Sequence, residues 1–470
     1  MRPFNEIPSI EFKPKKRSIA QSNDFERLSL AHEMLNTPIF KVTISASDGD
    51  VNSLSVNDEM AAKDILLDER SIWRKGPQTY EPFRSLVPNH LIQLEGDYHI
   101  FIRQKAQTAL NDAIVENRVP ADILGKKLIQ IIEKVIEGNG YYSWIGERKI
   151  IRNQPCFVSN QVDKVMRSCA LDIISSAIFG KPWNALEDYS TNLKADTLAK
   201  IMSELHWRIT DFNAREWRSN PRNEPAGSLL DILDSFILDE IEISFDRVRR
   251  TEQNICMLDS WTRDQSLTKE EIRNLALTFM TMGSENVSTA LSWCIVLLSE
   301  NQTTQINARK SQEALLNAFH EAMRLYPSVA ALTRQAIVDT EICGFHIPRH
   351  TEVQINLYSI HRNKVTWGEN ANDYQPGRCP VVSTFGPPDA IPFGAGKRSC
   401  IGRPLTMHEL HNVILPILNR FQVIAVKDLP GDKLRVEENL EAKTLPNNFV
   451  SLRPGSHRIA FIPLERNSRL

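Results

Sequence analysis

Ten residues constrain this chain more than any other stretch: Phe393-Gly394-Ala395-Gly396-Lys397-Arg398-Ser399-Cys400-Ile401-Gly402. One cysteine sits between glycines and basic residues, just ahead of a helical pattern. A cysteine binds metal as its thiolate, so its surroundings must favour the anion. Arg398 is placed to supply a nearby positive charge. The start of the following helix, from about Ile401, is placed to supply backbone N–H groups and the positive end of a helix dipole. Gly394, Gly396 and Gly402 let the backbone approach a flat group closely and take positive φ where needed. A lone cysteine in a glycine-rich turn is more often a buried structural residue. The other motifs of the chain decide between the two.

Composition narrows the field. The chain has 470 residues, enough for a large core, and a formal net charge of −2, which gives no global electrostatic case for nucleic-acid binding. Its seven cysteines show no C-x-x-C spacing, so neither a disulfide framework nor a zinc site is expected. Cys156, Cys169, Cys256, Cys294, Cys343 and Cys379 read as small core or surface residues. No apolar run approaches the roughly 18 residues of a membrane span. The opening Met1-Arg2-Pro3-Phe4-Asn5-Glu6-Ile7-Pro8 lacks the apolar core of a secretory signal. Lys13-Pro14-Lys15-Lys16-Arg17 suits a solvated tail, with peripheral contact to an anionic membrane as the alternative.

Residues 1–36 read as an irregular N-terminal segment, and 37–470 as a single domain. The alternation of Ile39-Phe40-Lys41-Val42-Thr43-Ile44 and Val51-Asn52-Ser53-Leu54-Ser55-Val56 around Asp48-Gly49 predicts a β-hairpin. Helical periodicity dominates from about 97 to 325, with proline breaks near 155 and 220–225. Thr268-x-x-Glu271 forms a capping box that opens a long apolar helix to about Leu298. Short strands follow Pro327. A last helix from Ile401 to Arg420 carries Pro416, where a kink or an early end is expected.

The cysteine loop resembles the haem-binding signature of the cytochrome P-450 family, F-x-x-G-x-R-x-C-x-G, at Phe393, Gly396, Arg398, Cys400 and Gly402. Further motifs follow in family order from about residue 37 to 463. Glu321-Ala322-Met323-Arg324 and Pro376-Gly377-Arg378 are similar to the family's E-x-x-R and P-x-R segments, whose three charged side chains brace the haem core. His99 and Arg103 are similar to its H-x-x-x-R pair, and Arg334 stands where the family carries another arginine. The resemblance implies a mainly α P-450 fold with a small β-rich lobe, and Cys400 as the iron ligand of haem b. It also implies propionates held by His99, Arg103, Arg334 and Arg398. The thiolate pushes electron density onto the iron and favours O–O cleavage, as is general for the family. The implied reaction inserts one atom of O2 into an apolar organic substrate such as a lipid, sterol, terpenoid or xenobiotic. Its electrons come from a ferredoxin or a flavoprotein reductase docked near Cys400. Arg398, Ile401-Gly402-Arg403 and the opening Arg2-Pro3-Phe4 look somewhat like mitochondrial members, which implies a mitochondrial, membrane-associated location, though His320 stands in place of a lysine or arginine before Glu321. An endoplasmic-reticulum or soluble cytoplasmic location is the alternative.

One segment departs from the family. Its oxygen-activation pattern A/G-G-x-D/E-T-T/S appears here as Met282-Gly283-Ser284-Glu285-Asn286-Val287. Gly283 is expected to let the helix open locally, and Glu285 to feed a proton relay. Asn286 stands at the threonine position. An amide can order a water but cannot pass a proton as a hydroxyl does. Two further readings therefore accompany the monooxygenase: a hydroperoxide-rearranging isomerase or dehydratase, and a non-catalytic haem-thiolate protein.

Overall fold

The computed structural model describes residues 1–12, 24–44, 51–139, 145–187, 191–210, 226–251, 253–378, 391–429, 433–436, 452–455 and 457–465. The predicted mainly α architecture with a β-rich lobe is observed. Its axis is the helix Lys269–Glu300, 32 residues long, or about 48 Å at 1.5 Å per residue. Thr268 accepts from the Glu271 N–H, and Glu271 returns the bond to the Thr268 N–H, so the capping box forms as read. The helix Val162–Phe179, buried on nearly every face, packs alongside. Gly283 belongs to that contact. A β-carbon there would sit 3.0 Å from Ile174 Cγ1, and the long helix runs through this point unbroken. The expected local opening at Gly283 is thus corrected: the glycine lets two helices approach.

The helical stretch read from 97 to 325 is interrupted by an antiparallel hairpin, Glu147–Ile151 with Gln154–Ser159. The break near 155 is a strand, because its buried side chains Cys156, Phe157 and Val158 are covered from the strand Ile459–Pro463. The break near 220–225 lies outside the described residues.

The β-lobe is a six-stranded sheet in the order Ser9–Phe12, Ile39–Ile44, Val51–Val56, Glu352–Asn356, Ala331–Ala336, Trp73–Lys75. The predicted hairpin supplies its second and third strands, while Asp48 and Gly49 lie outside the described residues. The expectation of an irregular segment over 1–36 is also corrected. Ser9–Phe12 pairs in parallel with Lys41–Ile44, and Asp24–Leu35 is a helix that buries Leu28 and Ala31 against Phe40 and Val42. Such a short edge strand gains its stability from its neighbour, and local pattern alone is too weak to show it.

The helix after the cysteine neither ends nor breaks at Pro416. Arg403–Glu409 continues through a π turn, Leu410–Ile414, into Leu415–Arg420. Among the described residues no helix is long and apolar enough to cross a membrane.

Candidate active site

The cysteine loop closes on itself. The Cys400 N–H donates to the Phe393 carbonyl at 2.8 Å, and the Ser399 N–H to the Gly396 carbonyl at 3.0 Å. Gly396 has φ +65°, and a β-carbon there would run into the Leu66 backbone carbonyl. This glycine therefore meets two requirements at once, left-handed backbone and close approach. Gly402 differs: its φ is an ordinary −81°, and the atom nearest its missing β-carbon is Cys400 Sγ at 3.8 Å. Glycine there keeps the flank of the thiol open.

Cys400 is an exposed residue of the loop, yet protein crowds its thiol closely enough that desolvation pushes its pKa up. The N–H groups of Gly402 and Arg403 and the charges of Arg103 and Arg403 pull the other way. Arg103 and Arg403 thus favour the thiolate from beside the sulfur. Arg103, from the helix Gly96–Val115, donates to the Ser399 carbonyl at 2.7 Å. It is held by the cysteine loop itself. The Arg403 guanidinium lies over the Phe393 ring, 5.3 Å from its centre.

Arg398 faces a different group. Strand register places Lys75 directly opposite Arg334, and both act on Arg398 or share its neighbours. Burial, then Arg334, pushes the Arg398 guanidinium down to about 10. Burial pushes Lys75 down to about 8, with Arg334 and Arg398 adding to it and Tyr80 opposing. Burial also raises the Tyr80 phenol, but Lys75, which donates to its oxygen at 3.0 Å, together with Arg334 and Arg398 outweighs it, and its pKa falls. His99 is pushed down to about 3 by burial and by Arg398, Arg103 and Lys75, so it is neutral. Glu95, which also faces Arg398, already accepts the Lys75 N–H at 2.6 Å. Arg398 Nη1 is buried with no hydrogen-bond partner among the described residues. A buried cation cluster around an orphaned guanidinium nitrogen calls for an anion with several oxygens. The two carboxylates of a haem fit, and the thiol nearby fits its iron. Lys75 and Tyr80 were not foreseen, because no local motif marks them: the strand ladder brings Lys75 in, and Tyr80 follows on the helix Pro77–Leu86.

The bracing residues come together. Arg324 grips both oxygens of Glu321 at 2.8 Å and donates to the carbonyls of His361, Ala371 and Asp373. Arg378 reaches Glu321 at 3.5 Å and otherwise holds Trp367 and Asn370. The network joins the helix Gln312–Leu325 to the stretch leading to the cysteine loop. His320 beside it is 3 % exposed and presents no docking surface.

On the long helix, Glu285 is buried and fully engaged. Arg453 donates to both its oxygens at 2.6 Å, and Arg167 lies 3.7 Å away. Neither arginine carries a sequence signal for this contact. Asn286 points its Nδ2 toward Met282 Sδ at 3.9 Å, a weak acceptor, while its Oδ1 is buried without a partner among the described residues. Ser288 donates to the Glu285 carbonyl within the helix. The family resemblance further implies a substrate pocket drawing on the region after Lys75, the helix around Phe279, Ser328–Leu332 and the turn at Leu445–Phe449; of these, Ser328 donates to the Asn286 carbonyl at 2.9 Å. Leu445–Phe449 lies outside the described residues, as does Cys379.

Comparison with known proteins agrees with this geometry. A family model described as Cytochrome P450 matches residues 148–446. Among similar proteins are Cytochrome P450 714C2 of Oryza sativa subsp. japonica and Cytokinin hydroxylase of Arabidopsis thaliana. The first is 27% identical over 288 residues, covering 56% of this chain and 54% of that protein. The second is 25% identical over 289 residues, covering 56% of each. The match thus spans about half the length of these two relatives. The crystal structure of the haem domain of a cytochrome P450DA mutant superposes with a TM-score of 0.77 at 17% identity, covering all of both chains, which speaks to the fold. With an exposed cysteine framed by its glycine loop, the E-x-x-R brace beneath it and a family model spanning both, this chain belongs to the cytochrome P450 family.

Proposed function

We propose that the chain is a haem-thiolate monooxygenase that inserts one atom of O2 into an apolar organic substrate, using electrons from a ferredoxin or flavoprotein reductase. The observation that carries this reading is the pairing of Cys400, its thiol flanked by Arg103 and Arg403, with a separate cation cluster whose Arg398 nitrogen has no partner among the described residues. Cys400 would hold the iron of haem b as its thiolate. Arg398, Arg334, Lys75 and His99 would hold the haem carboxylates, with Tyr80 bonded to Lys75 behind them. Phe393 and Gly402 shape the loop on either side of the sulfur. Glu321, Arg324 and Arg378 hold that loop on the core. When bound, the haem supplies oxygen activation, and thiolate ligation favours O–O cleavage. The proton supply falls to Glu285 and to a water ordered by the Asn286 amide.

The absorption spectrum of the reduced protein with carbon monoxide tests this. A strongly red-shifted Soret band is expected, and it should vanish in Cys400→Ala. A histidine-like band in the parent protein, or a red-shifted band in the variant, overturns the assignment. The Arg453 grip on Glu285 and the amide at 286 favour one second reading, a hydroperoxide-rearranging isomerase. Turnover of a lipid hydroperoxide without any electron donor, and none of the parent lipid with O2 and a donor, would establish that reading instead.

A further inference from the structure

The strand Trp73–Lys75 turns straight into the helix Pro77–Leu86 at Gly76. Lys75 and Tyr80 stand on either side of that turn, so its geometry sets how the Lys75 ammonium meets the Tyr80 oxygen. The Tyr80 N–H closes the turn on the Gly76 carbonyl at 3.1 Å. The first turn of a helix leaves N–H groups without helical partners, and Gly76, the cap residue, offers them no side-chain bond. Another segment lies against this end. A β-carbon on Gly76 would run into the carboxylate of Glu352 and into Thr333 Oγ1. The φ of Gly76 is an ordinary −68°, so its missing side chain serves this close approach and not a special backbone angle. Glu352 is buried at the start of the strand Glu352–Asn356. It faces Gln335 across one ladder, and Gln335 faces Arg74 across the next. Arg74 Nε donates to Gln335 Oε1 at 2.7 Å. Side chains alternate along a strand, so Glu352, Gln335 and Arg74 share one face of the sheet while Arg334 and Lys75 share the other.

We propose that Glu352 is a positioning residue for the haem carboxylates: from the far face of the sheet it holds the Gly76 turn that presents Lys75 and Tyr80 to them. A carboxylate is favoured at the N-terminal end of a helix, where free N–H groups and the dipole are positive. From a neighbouring strand it does what a capping side chain does locally. The helix start held in this way keeps Tyr80 against Lys75, and Lys75 in register with Arg334. The proposal rests on the haem-thiolate reading and concerns how part of its cation cluster is aligned. Glu352 is also an acid behind a set of cations, and an effect of charge alone has the opposite sign. Loss of a counter-charge leaves the cluster more positive, which depresses the Lys75 amine further and tightens the hold on an anion. Loss of a positioning residue frees the turn, lets water reach Lys75 and reverses both effects.

The test compares Glu352→Ala and Glu352→Gln with the parent. In the haem-free protein Lys75 is titrated by carbon NMR of the methylated lysine amines, its signal assigned through Lys75→Arg. Its pKa, about 8 in the parent, should rise most of the way to 10.5 in Glu352→Ala. Glu352→Gln, which keeps one oxygen at the helix start, should fall between. In the loaded protein, haem transfer to a stronger acceptor protein should be at least about fivefold faster in Glu352→Ala, and the carboxylate bending bands of the resonance Raman spectrum should shift. A Lys75 pKa that falls, with slower transfer, makes Glu352 a counter-charge and overturns the proposal. Lower stability with the titration and the transfer rate unmoved makes it a structural residue and overturns it too. A double-mutant cycle checks the contact itself. Gly76→Ala should lower the unfolding midpoint of the parent and lower it much less in the Glu352→Ala background, where the β-carbon finds room. An equal fall in both backgrounds overturns the proposal. Should Glu352→Ala fail to fold, Glu352→Gln decides on the same readouts. A parent protein without the red-shifted carbon monoxide band counts against the haem-thiolate reading, whereas the Lys75 titration and the Gly76 cycle need no haem and concern Glu352 alone.

Discussion

Single residues in this protein are governed by how much positive charge the fold concentrates behind the cysteine loop. Arg398 brings a guanidinium nitrogen that no described side chain satisfies. Arg398→Gln should cost about 1.5–3 kcal/mol of haem binding, the value of a charged hydrogen bond. Haem transfer to a stronger acceptor protein would read this directly, and transfer at the parent rate would sink it. Lys75 makes a different prediction. Its folded pKa is lowered from 10.5 to about 8. Between those values the unfolded chain holds a proton that the folded one lacks, so stability of the haem-free protein rises with pH across that window. Below it, the buried charge is a constant cost. In Lys75→Met the rise should be absent, and urea unfolding at about pH 8 and about pH 10 checks it. Equal slopes for parent and variant would show that Lys75 is not held as described.

At the scale of elements, the helix after the cysteine shows how a proline is absorbed. In an α-helix the N–H of residue 416 would serve the Asn412 carbonyl, and Pro416 has none. The π turn Leu410–Ile414 widens the helix just before it. The Asn412 carbonyl then faces Gly125 on the helix Ala121–Ile136, where a β-carbon would collide with it. The early end expected from sequence does not occur: a π turn changes the register ahead of Pro416, and a glycine on the neighbouring helix leaves room for the Asn412 carbonyl. Gly125→Ala should destabilise by about 1–3 kcal/mol through overpacking, with a lower thermal midpoint as the measurement. No change would mean that the two helices can part there freely. At the N-terminal end of the long helix, loss of the cap in Thr268→Ala should cost about 1 kcal/mol. That value is readable from denaturant midpoints because the helix otherwise stays intact.

The whole molecule depends on one buried charged junction. Arg324, 1 % exposed in its side chain, is bonded to Glu321 and to carbonyls spread over the 361–373 stretch, so it ties the E-x-x-R helix to the approach of the cysteine loop. Removing one partner of a buried pair costs about 3–5 kcal/mol, and Arg324→Ala should lose that much stability and most of its haem. Arg378 is farther from Glu321 and less enclosed. Arg378→Ala should cost less, within about the 1–3 kcal/mol of a lost buried hydrogen bond. The reverse ranking, read from unfolding and from haem content after purification, would contradict this account.

The amino-acid sequence alone determined whatever depends on near neighbours: the cysteine loop, the i and i+3 pairing of Glu321 with Arg324, the capping box at Thr268 and the hairpin strands at 39–44 and 51–56. Each is set by backbone preferences and side-chain reach over a few residues. The family resemblance added the order of these pieces. Tertiary structure decided what the motifs meet. It set Arg103 and Arg403 beside the sulfur, brought Lys75 opposite Arg334 across a strand ladder, and closed Arg453 on Glu285 from the far end of the chain. It also turned Gly283 to helix packing and the segment 9–12 into a sheet edge. Those contacts depend on strand register and helix packing between distant segments, and no local pattern encodes such distances.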